Sequence, residues 1–393
     1  MPILFGVILL DLIGFGIVIP ILPFLSPQLG AGKFDIALII VSYAVCSGLC
    51  GPYWGKLSDR IGRKPVIMIC LAGGALAYVL LGLASELWMV FAARAFAGLM
   101  AGNIGVASAM MADLTTPENR ARGMGLIGAA FGLGLAMGPV LGGLLAGDGN
   151  SFTLPCIVAG GMSVLAIIAA ARFLPESVSK QRQAESRALQ QDKQGLSIYQ
   201  MLKQTGNRLL TCQYVLHNSC VSAFSYMFPL WVADLLAWTP REVGIIFGIQ
   251  GIIMAVMQGG FMGQLIRLLG EFPLLRVSIA LFLCGLLTAA FAETMPVMVT
   301  AAFMAMSGAT LCMPVLNTLT SNRTPIALRG RMLGTTSSAG SWGRVVGPLF
   351  AGTNLALFGY QAAWLGCAAL VVLYLSWALW EKPHRHSGMQ SLD

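Results

Sequence analysis

The carboxylate best placed for chemistry is Asp11, which lies well inside the first long apolar stretch of the chain. A charged side chain at such a depth in a membrane is costly unless it is paired or hydrated. Asp11 could therefore exchange a proton or act as the counter-charge of a cationic substrate. The alternative is a static ion pair with an arginine, which would also make the charge tolerable.

Two arginines also fall inside apolar stretches and are candidates to act with Asp11. Arg94 could lie near Asp11 in the fold and pair with it. Arg344 lies in the segment "GSWGRVVGP" near the end of the chain. It could neutralise Asp11, attract an anionic group of a substrate, or have only a packing or snorkelling role.

Further polar and apolar side chains could line a cavity. His217 and Gln213 give one helix a polar face, although a lone histidine hydrogen-bonded to a neighbouring helix is the favoured interpretation of His217. The 21 methionines supply flexible, polarisable surface that suits varied amphipathic ligands. The predicted substrate-binding residues are Asp11, Phe15, Asn103, Gln213, His217, Tyr226, Gln250, Met254, Asn317 and Arg344.

The composition indicates which elements must position these groups. Of 393 residues, 57% are hydrophobic and only 10% are charged, whereas soluble domains carry about a quarter charged residues. Apolar runs of roughly 20 residues, long enough to cross a bilayer, recur along the chain. We predict twelve membrane spans, near residues 3–25, 36–57, 65–85, 87–112, 122–147, 153–173, 207–234, 242–265, 272–292, 296–321, 331–357 and 362–381.

The distribution of cations predicts the orientation of these spans. With both termini inside, 20 of the 24 Lys and Arg residues fall in inner loops, where such residues are retained. The net charge of +8 is thus explained by the cations that hold the inner loops in the cytoplasm, and nucleic-acid binding is not expected. We expect a multi-pass protein of the inner cell membrane with both termini in the cytoplasm, and no cleaved signal sequence.

The two halves of the chain are related as copies. A shift of 209 residues places Gly138 and Pro139 on Gly347 and Pro348, and a shift of 208 places Gly62 on Gly270. A parallel repeat of this kind predicts a pseudo-two-fold axis along the membrane normal, with a cavity between the halves. We predict an all-α membrane protein with two six-helix bundles, residues 1–174 and 207–393, joined by a charged cytoplasmic linker at 175–206.

Four motifs resemble those of the major facilitator superfamily and, within it, of twelve-helix drug/proton antiporters such as the tetracycline exporters. They are "LLDLIGFGIVIPILP" (9–23), "GKLSDRIGRKP" (55–65), "RAFAGLMAG" (94–102) and "GLIGAAFGLGLAMGPVLGG" (125–143). The resemblance implies the major facilitator fold and a role for Arg94, with Asp11, in proton coupling.

The resemblance also implies roles for two groups of residues. The loop after span 2 would form a conformational latch, in which Asp59 meets the eleventh helix and Arg63 pairs with Asp113. The glycine-rich fifth helix is associated with exporters. The implied latch residues are Gly55, Asp59, Arg60, Gly62, Arg63 and Asp113, and the antiporter motif comprises Gly128, Gly132, Gly138, Pro139, Gly142 and Gly143.

One departure from the tetracycline exporters bears on the substrate. Those proteins place a histidine in helix 8 and an acid in helix 9, whereas the eighth span here offers Gln250 and Gln258 and the ninth has no internal carboxylate. The sequence therefore disfavours a tetracycline–metal chelate. A neutral or anionic amphipathic compound, such as a drug, a secreted metabolite or a siderophore, is compatible with Arg344.

Together these features predict a proton-coupled antiporter that exports a small amphipathic compound. The alternatives are a proton-coupled importer of a small solute such as a sugar, and a membrane receptor without transport. No P-loop, "HExxH" or "GxSxG" motif is present, so we expect no enzyme activity. We expect no cofactor and no metal site, and as partners only protons, membrane lipids and the substrate, with the protein as a monomer.

Overall fold

A computed structural model gives the structure of the chain and describes residues 1–116, 120–147, 152–177, 202–203, 206–325 and 329–380. Of the predicted linker, residues 178–201 and 204–205 lie outside the described part, as do the last 13 residues of the chain.

Almost all described residues are helical. The helices are α1 (Pro2–Val18), α2 (Leu22–Gln28), α3 (Lys33–Ile61), α4 (Arg63–Gly82), α5 (Leu87–Leu99), α6 (Asn103–Asp113), α7 (Arg120–Ala146), α8 (Thr153–Phe173), α9 (Arg208–Leu236), α10 (Pro240–Val256), α11 (Met262–Leu269), α12 (Glu271–Ala290), α13 (Met295–Asn322) and α14 (Arg329–Trp380). A π-helical segment, Met257–Phe261, joins α10 to α11.

Within the described residues, nine helical segments are long and apolar enough to cross a membrane, or ten when the bent pair α1 and α2 is taken as one span. Two features reconcile this number with the predicted twelve. Gly359 is non-helical and divides α14 into two helices. The helices α10 and α11 form a further span through the π-helical segment.

We number the spans 1 to 12 in chain order. Span 1 is α1 with α2, span 4 is α5 with α6, and span 8 is α10 with α11; spans 11 and 12 are the parts of α14 before and after Gly359. Span 1 bends by 43° near Pro20, where proline removes a backbone donor and crowds the preceding turn.

The halves pack on each other along two pairs of spans, span 5 against span 8 and span 2 against span 11. The repeat is visible in the backbone, because Gly62 and Gly270 each follow the second span of their half with φ values of 107° and 81°. Only glycine adopts such angles readily, and each one lets the chain turn directly into the next helix.

The two ends of the bundle are named here by residues that lie there. The Lys33 end holds Lys33, Asp234 and Tyr360, and the Arg63 end holds Arg63, Asp113 and Glu271. The largest hydrophobic core belongs to the second half, where the Trp231 and Trp364 rings meet edge to face with centroids 5.2 Å apart.

Candidate functional site

Asp11 lies midway along span 1, inside the first bundle. Its carboxylate accepts a hydrogen bond from the side-chain amide of Asn103 in span 4. Both residues line a cavity of about 10 Å³ whose other walls are aliphatic side chains of spans 1, 3 and 4. A cavity of that size holds about one water molecule. The surroundings of Asp11 thus suit a proton or a water better than a bulky substrate.

Arg94 in span 4 is buried at 5% exposure, and its guanidinium carbon lies 4.5 Å from the centre of the Tyr43 ring. Its Nε has no hydrogen-bond partner in the described structure. Within the described ranges, no carboxylate oxygen lies within 4.0 Å of this guanidinium. The static ion pair of Asp11 with Arg94, the alternative that the sequence left open, is therefore not formed in this conformation, where the Asp11 carboxylate is bound to Asn103 instead.

Arg344 lies on span 11 where the two halves meet. Gly343 and Gly347 face span 7, and a Cβ at either position would meet the span 7 backbone. Val345 packs on Val41 and Ala44 of span 2. Arg344 is exposed between these two packed faces, and its Nη2 donates to Ser341 Oγ over 2.8 Å.

Tyr43 connects the charged residues of the two halves. Its ring lies 5.6 Å from that of Phe15, centroid to centroid. Asp11, Arg94 and Arg344 are all close enough to the Tyr43 hydroxyl to act on it electrostatically. Two cations and one carboxylate therefore lie near one phenol, although Asp11 and Arg94 come from spans 1 and 4 of the first half and Arg344 comes from span 11 of the second.

The glycines of span 5 make two different contacts. A Cβ on Gly138 or Gly142 would meet the backbone of span 1, at Gly16 and Ile17. A Cβ on Gly143 would meet the Pro240 carbonyl of span 8, in the other half. The same surface includes Pro139, whose carbonyl oxygen faces Gly244.

The inner part of span 5 is less crowded. A Cβ on Gly132 would lie 3.2 Å from the Met254 methyl of span 8, whereas Gly128 has open space around it. The predicted motif thus joins span 1, span 5 and span 8 towards the Lys33 end, and its inner positions are not tightly packed in this conformation.

At the Lys33 end, polar groups of the two halves bind each other. Lys33 Nζ of the first half lies 2.5 Å from Asp234 Oδ2 of the second and 4.5 Å from the centre of the Tyr360 ring. The Tyr360 hydroxyl donates to the same Asp234 oxygen over 2.8 Å. The Tyr226 hydroxyl donates to the Lys33 carbonyl over 2.6 Å.

At the Arg63 end, the predicted latch residues bind within the first half. Arg63 Nε lies 3.2 Å from Asp113 Oδ2, which is the pair that the resemblance implied. Arg63 Nη2 lies 2.7 Å from Asp59 Oδ1, so in this conformation Asp59 forms an ion pair with Arg63 and not a contact with span 11. Arg60 is exposed, and a Cβ on Gly55 would have open space around it.

Sequence reasoning missed one residue here. Glu176, just after span 6, accepts hydrogen bonds from the Arg63 and Lys64 backbone N–H groups over 2.9 and 3.1 Å. These are donors in the first turn of span 3, which has no helical partners for them. The sequence signal that could have pointed to Glu176 is the start of span 3. It follows Gly62, which has no side chain to cap the free N–H groups.

Several predicted cavity residues lie elsewhere. Gln213, His217, Tyr226 and Gln250 are buried in the second half, with 0, 5, 0 and 3% exposure. In this conformation they do not face an open cavity, and their role in substrate binding stays a prediction. His217 instead lies beside the Tyr374 ring, 6.1 Å away, and Asn317 is exposed and accepts a hydrogen bond from Tyr214 over 2.6 Å.

In the described ranges, no group of three or more His, Cys, Asp or Glu side chains could hold a metal ion.

Comparisons with known proteins agree with this architecture. The family model of the Major Facilitator Superfamily matches residues 4–325 and 210–390. The class E tetracycline resistance protein of Escherichia coli is 30% identical over 352 residues, which cover 87% of this chain and 84% of that protein.

Two solved structures are similar in fold. The crystal structure of the human organic anion transporter MFSD10 (TETRAN) has a TM-score of 0.73 at 24% identity and covers 96% of this chain and 98% of that one. A bacterial homologue of the human lysosomal transporter Spinster, in an inward-facing and occupied conformation, has a TM-score of 0.76 at 13% identity, with 96% and 95% covered. The matches span nearly the whole chain, and this membrane transporter with two six-helix bundles belongs to the major facilitator superfamily.

Proposed function

We propose that this protein is a proton-coupled antiporter that exports a small amphipathic compound by alternating access. The observation that carries the proposal is the position of Asp11. Among the carboxylates of the described residues, it is the one that lies in the middle of a span. Its surroundings have room for about one water, so a proton can be bound there without opening the bundle further.

The contacts between the halves support alternating access. At the Lys33 end the halves are joined by the Lys33–Asp234 ion pair and by the glycine contacts of spans 5 and 8. At the Arg63 end, in the part of the chain that the structure describes, the ion pairs of Arg63 with Asp59 and Asp113 stay inside the first half. By the distribution of cations, the Arg63 end faces the cytoplasm. We propose that this conformation is inward-facing and accepts the substrate from the cytoplasm. We also propose that the protein lies in the inner membrane of the cell.

The proton gradient is a sufficient energy source for this proposal. Each charge that moves inward contributes about 2.3 kcal/mol per 100 mV of membrane potential, which is equivalent to roughly fiftyfold accumulation. We propose that no cofactor is needed, and that Arg94 assists the coupling through its electrostatic effect around Tyr43. The expected partners are protons, lipids and the substrate, and the expected form is a monomer.

The substrate class rests on relatives and on one departure from them. Several relatives are named tetracycline resistance proteins, and another is titled an organic anion transporter. In this chain Gln250 of span 8 is buried, and Arg344 is an exposed charge in the middle of a span where the halves meet. We therefore favour an amphipathic compound that is neutral or anionic over a tetracycline–metal chelate.

Everted membrane vesicles with a pH-sensitive dye test the proposal. After acidification of the vesicle interior, a transported compound should release protons and restore the fluorescence of the dye. A panel of drugs and secreted metabolites, with tetracycline included, identifies the compounds that do so. We expect Asp11→Asn to abolish this response.

The matched control is Asp35→Asn, which also removes one carboxylate. Asp35 lies at the exposed start of span 2, where it accepts a hydrogen bond from the Gly32 backbone N–H. Its replacement should leave the response intact. An unchanged response in Asp11→Asn would contradict the proposal, and proton-driven uptake into whole cells would show an importer instead. Ligand binding without any flux would show a receptor.

A further inference from the structure

An excess of positive charge surrounds Tyr43, and it suggests what kind of group binds there. The Arg94 guanidinium lies on the Tyr43 ring, and Arg344 comes from the other half next to Val345, which packs on Val41 and Ala44. Among the described residues, Asp11 is the one carboxylate that acts electrostatically on Tyr43 together with these two arginines. A single carboxylate can neutralise only one of the two arginines, and Asp11 is already held by Asn103. At least one positive charge in this region is therefore left without a counter-charge.

The contacts of Arg94 show what is missing. A buried guanidinium is costly unless anions or acceptors satisfy its N–H groups. Arg94 is 5% exposed, and its Nε has no acceptor in the described structure. Stacking on Tyr43 stabilises the flat face of the group but leaves its donor edge unused. The edge of Arg94 is therefore suited to an acceptor that the protein itself does not provide.

Arg344 provides a second set of donors from the other half. Its side chain is exposed between the packed faces of span 11, and the hydrogen bond recorded for its guanidinium is to the neutral Ser341 hydroxyl. Val345, the next residue, packs directly on Val41 and Ala44 beside Tyr43. An anion between Arg94 and Arg344 would therefore contact both halves at once.

We propose that Arg94 and Arg344, which both lie near Tyr43, bind the anionic group of an amphipathic organic anion. A carboxylate fits this arrangement, because a guanidinium donates two parallel hydrogen bonds to it. The adjoining rings of Phe15 and Tyr43 offer an apolar surface for the body of the molecule. This inference rests on the proposed function, since it names the class of compound that the transporter carries.

The test uses two pairs of probes that differ in charge but not in bulk. These are 2-naphthoate with 2-naphthamide, and dansylglycine with dansylglycinamide. Binding to the purified full-length protein is measured in detergent by calorimetry or by probe fluorescence. We expect the wild-type protein to bind each acid about tenfold or more tightly than its amide, as charge-assisted hydrogen bonds predict.

Arg344→Gln is the decisive variant, because Arg344 is exposed and its loss should not disturb folding. It should reduce the affinity for each acid to that for the amide, and Arg344→Lys should restore part of it. Arg267→Gln is the control, since Arg267 is also exposed but lies on span 8 towards the Arg63 end. Arg94→Lys should weaken acid binding without loss of the folded protein.

Equal affinity for acid and amide in the wild-type protein, or unchanged acid binding in Arg344→Gln, would overturn the proposal. These measurements involve no proton gradient. Failure of acid binding together with proton release in everted vesicles would reject the anion site and leave the antiporter standing. Acid binding without proton release would support the anion site and reject the antiporter.

Discussion

The two ends of the bundle hold their charges in different ways. At the Lys33 end, a lysine of one half binds an aspartate and a tyrosine of the other half. At the Arg63 end, Arg63 binds Asp59 and Asp113, all within the first half. The same fold thus uses polar contacts to join its halves at one end and to stabilise each half separately at the other.

The comparison extends to the second half of the Arg63 end. By the repeat, Glu271 stands where Arg63 stands, and Asn322 corresponds to Asp113. There the Asn322 side-chain amide donates to Glu271 over 2.9 Å. The second half thus keeps a contact at the corresponding place, but an acid replaces the arginine and a neutral amide replaces the aspartate. In this place, among the described residues, the ion pair belongs to the first half.

The largest effect is expected from the packing that closes the Lys33 end. In Gly143→Ala the new methyl group would meet the Pro240 carbonyl oxygen and lie 3.2 Å from the Arg241 Cα. Overpacking of this kind costs about 1–3 kcal/mol. We expect transport in everted vesicles to fall about tenfold or more.

The control for this change is Gly161→Ala in span 6, where a Cβ has open space around it. Normal transport by Gly143→Ala would show that close contact between spans 5 and 8 is not required in the cycle.

A smaller effect is expected from Asp59→Asn at the Arg63 end. In this conformation the change removes one of the two carboxylates that bind Arg63. The resemblance implies that Asp59 meets the start of span 11 when this end closes, an interaction of about 0.3–1 kcal/mol. We expect transport to fall about twofold to fivefold at normal expression, with Lys56→Gln as a control of exposed charge.

The Lys33–Asp234 ion pair should have a still smaller effect. Both side chains are 43% exposed, and such pairs contribute about 0.2–1 kcal/mol. Lys33→Met should raise hydrogen–deuterium exchange near residues 226–236 about twofold, because the Lys33 end opens more often. Lys33→Arg should keep the slow exchange, and equal exchange in both variants would exclude a role for the pair in closure.

The smallest effect is expected from Glu271→Gln in the second half. Its hydrogen bond with Asn322 is exposed, and an amide can still accept it. Transport should stay within about twofold of the wild-type protein. Asp113→Asn, at the corresponding place in the first half, should cost more because it breaks an ion pair. Equal effects would remove the distinction between the halves.

Much of the fold could be predicted from the sequence. The spans were placed within a few residues, because length and apolar composition dictate where a chain can cross a membrane. The correspondence of Gly62 and Gly270 also followed from the repeat, since a positive φ at both places restricts the residue type.

The placement of polar side chains could be predicted only in part. Asp11 stood out because a carboxylate is rare in the middle of a span. His217 and Tyr226 were assigned to a cavity, yet they are buried in the second half. The reason is that membrane helices are apolar all round, since lipid is as apolar as the protein interior, so the sequence does not show which face is turned inward. Contacts such as Lys33 with Asp234, 201 positions apart, depend on how the halves meet.

The single-residue turn at Gly359 ties the end of span 11 directly to the start of span 12. No loop longer than this joins the two spans for a protease or an antibody to bind, and a turn of one residue is too short to accommodate an inserted tag. A tilt of span 11, which carries Arg344, is therefore expected to move the start of span 12 with it. A spin label on span 12, far from any ligand, would report the motion of the helix that touches it.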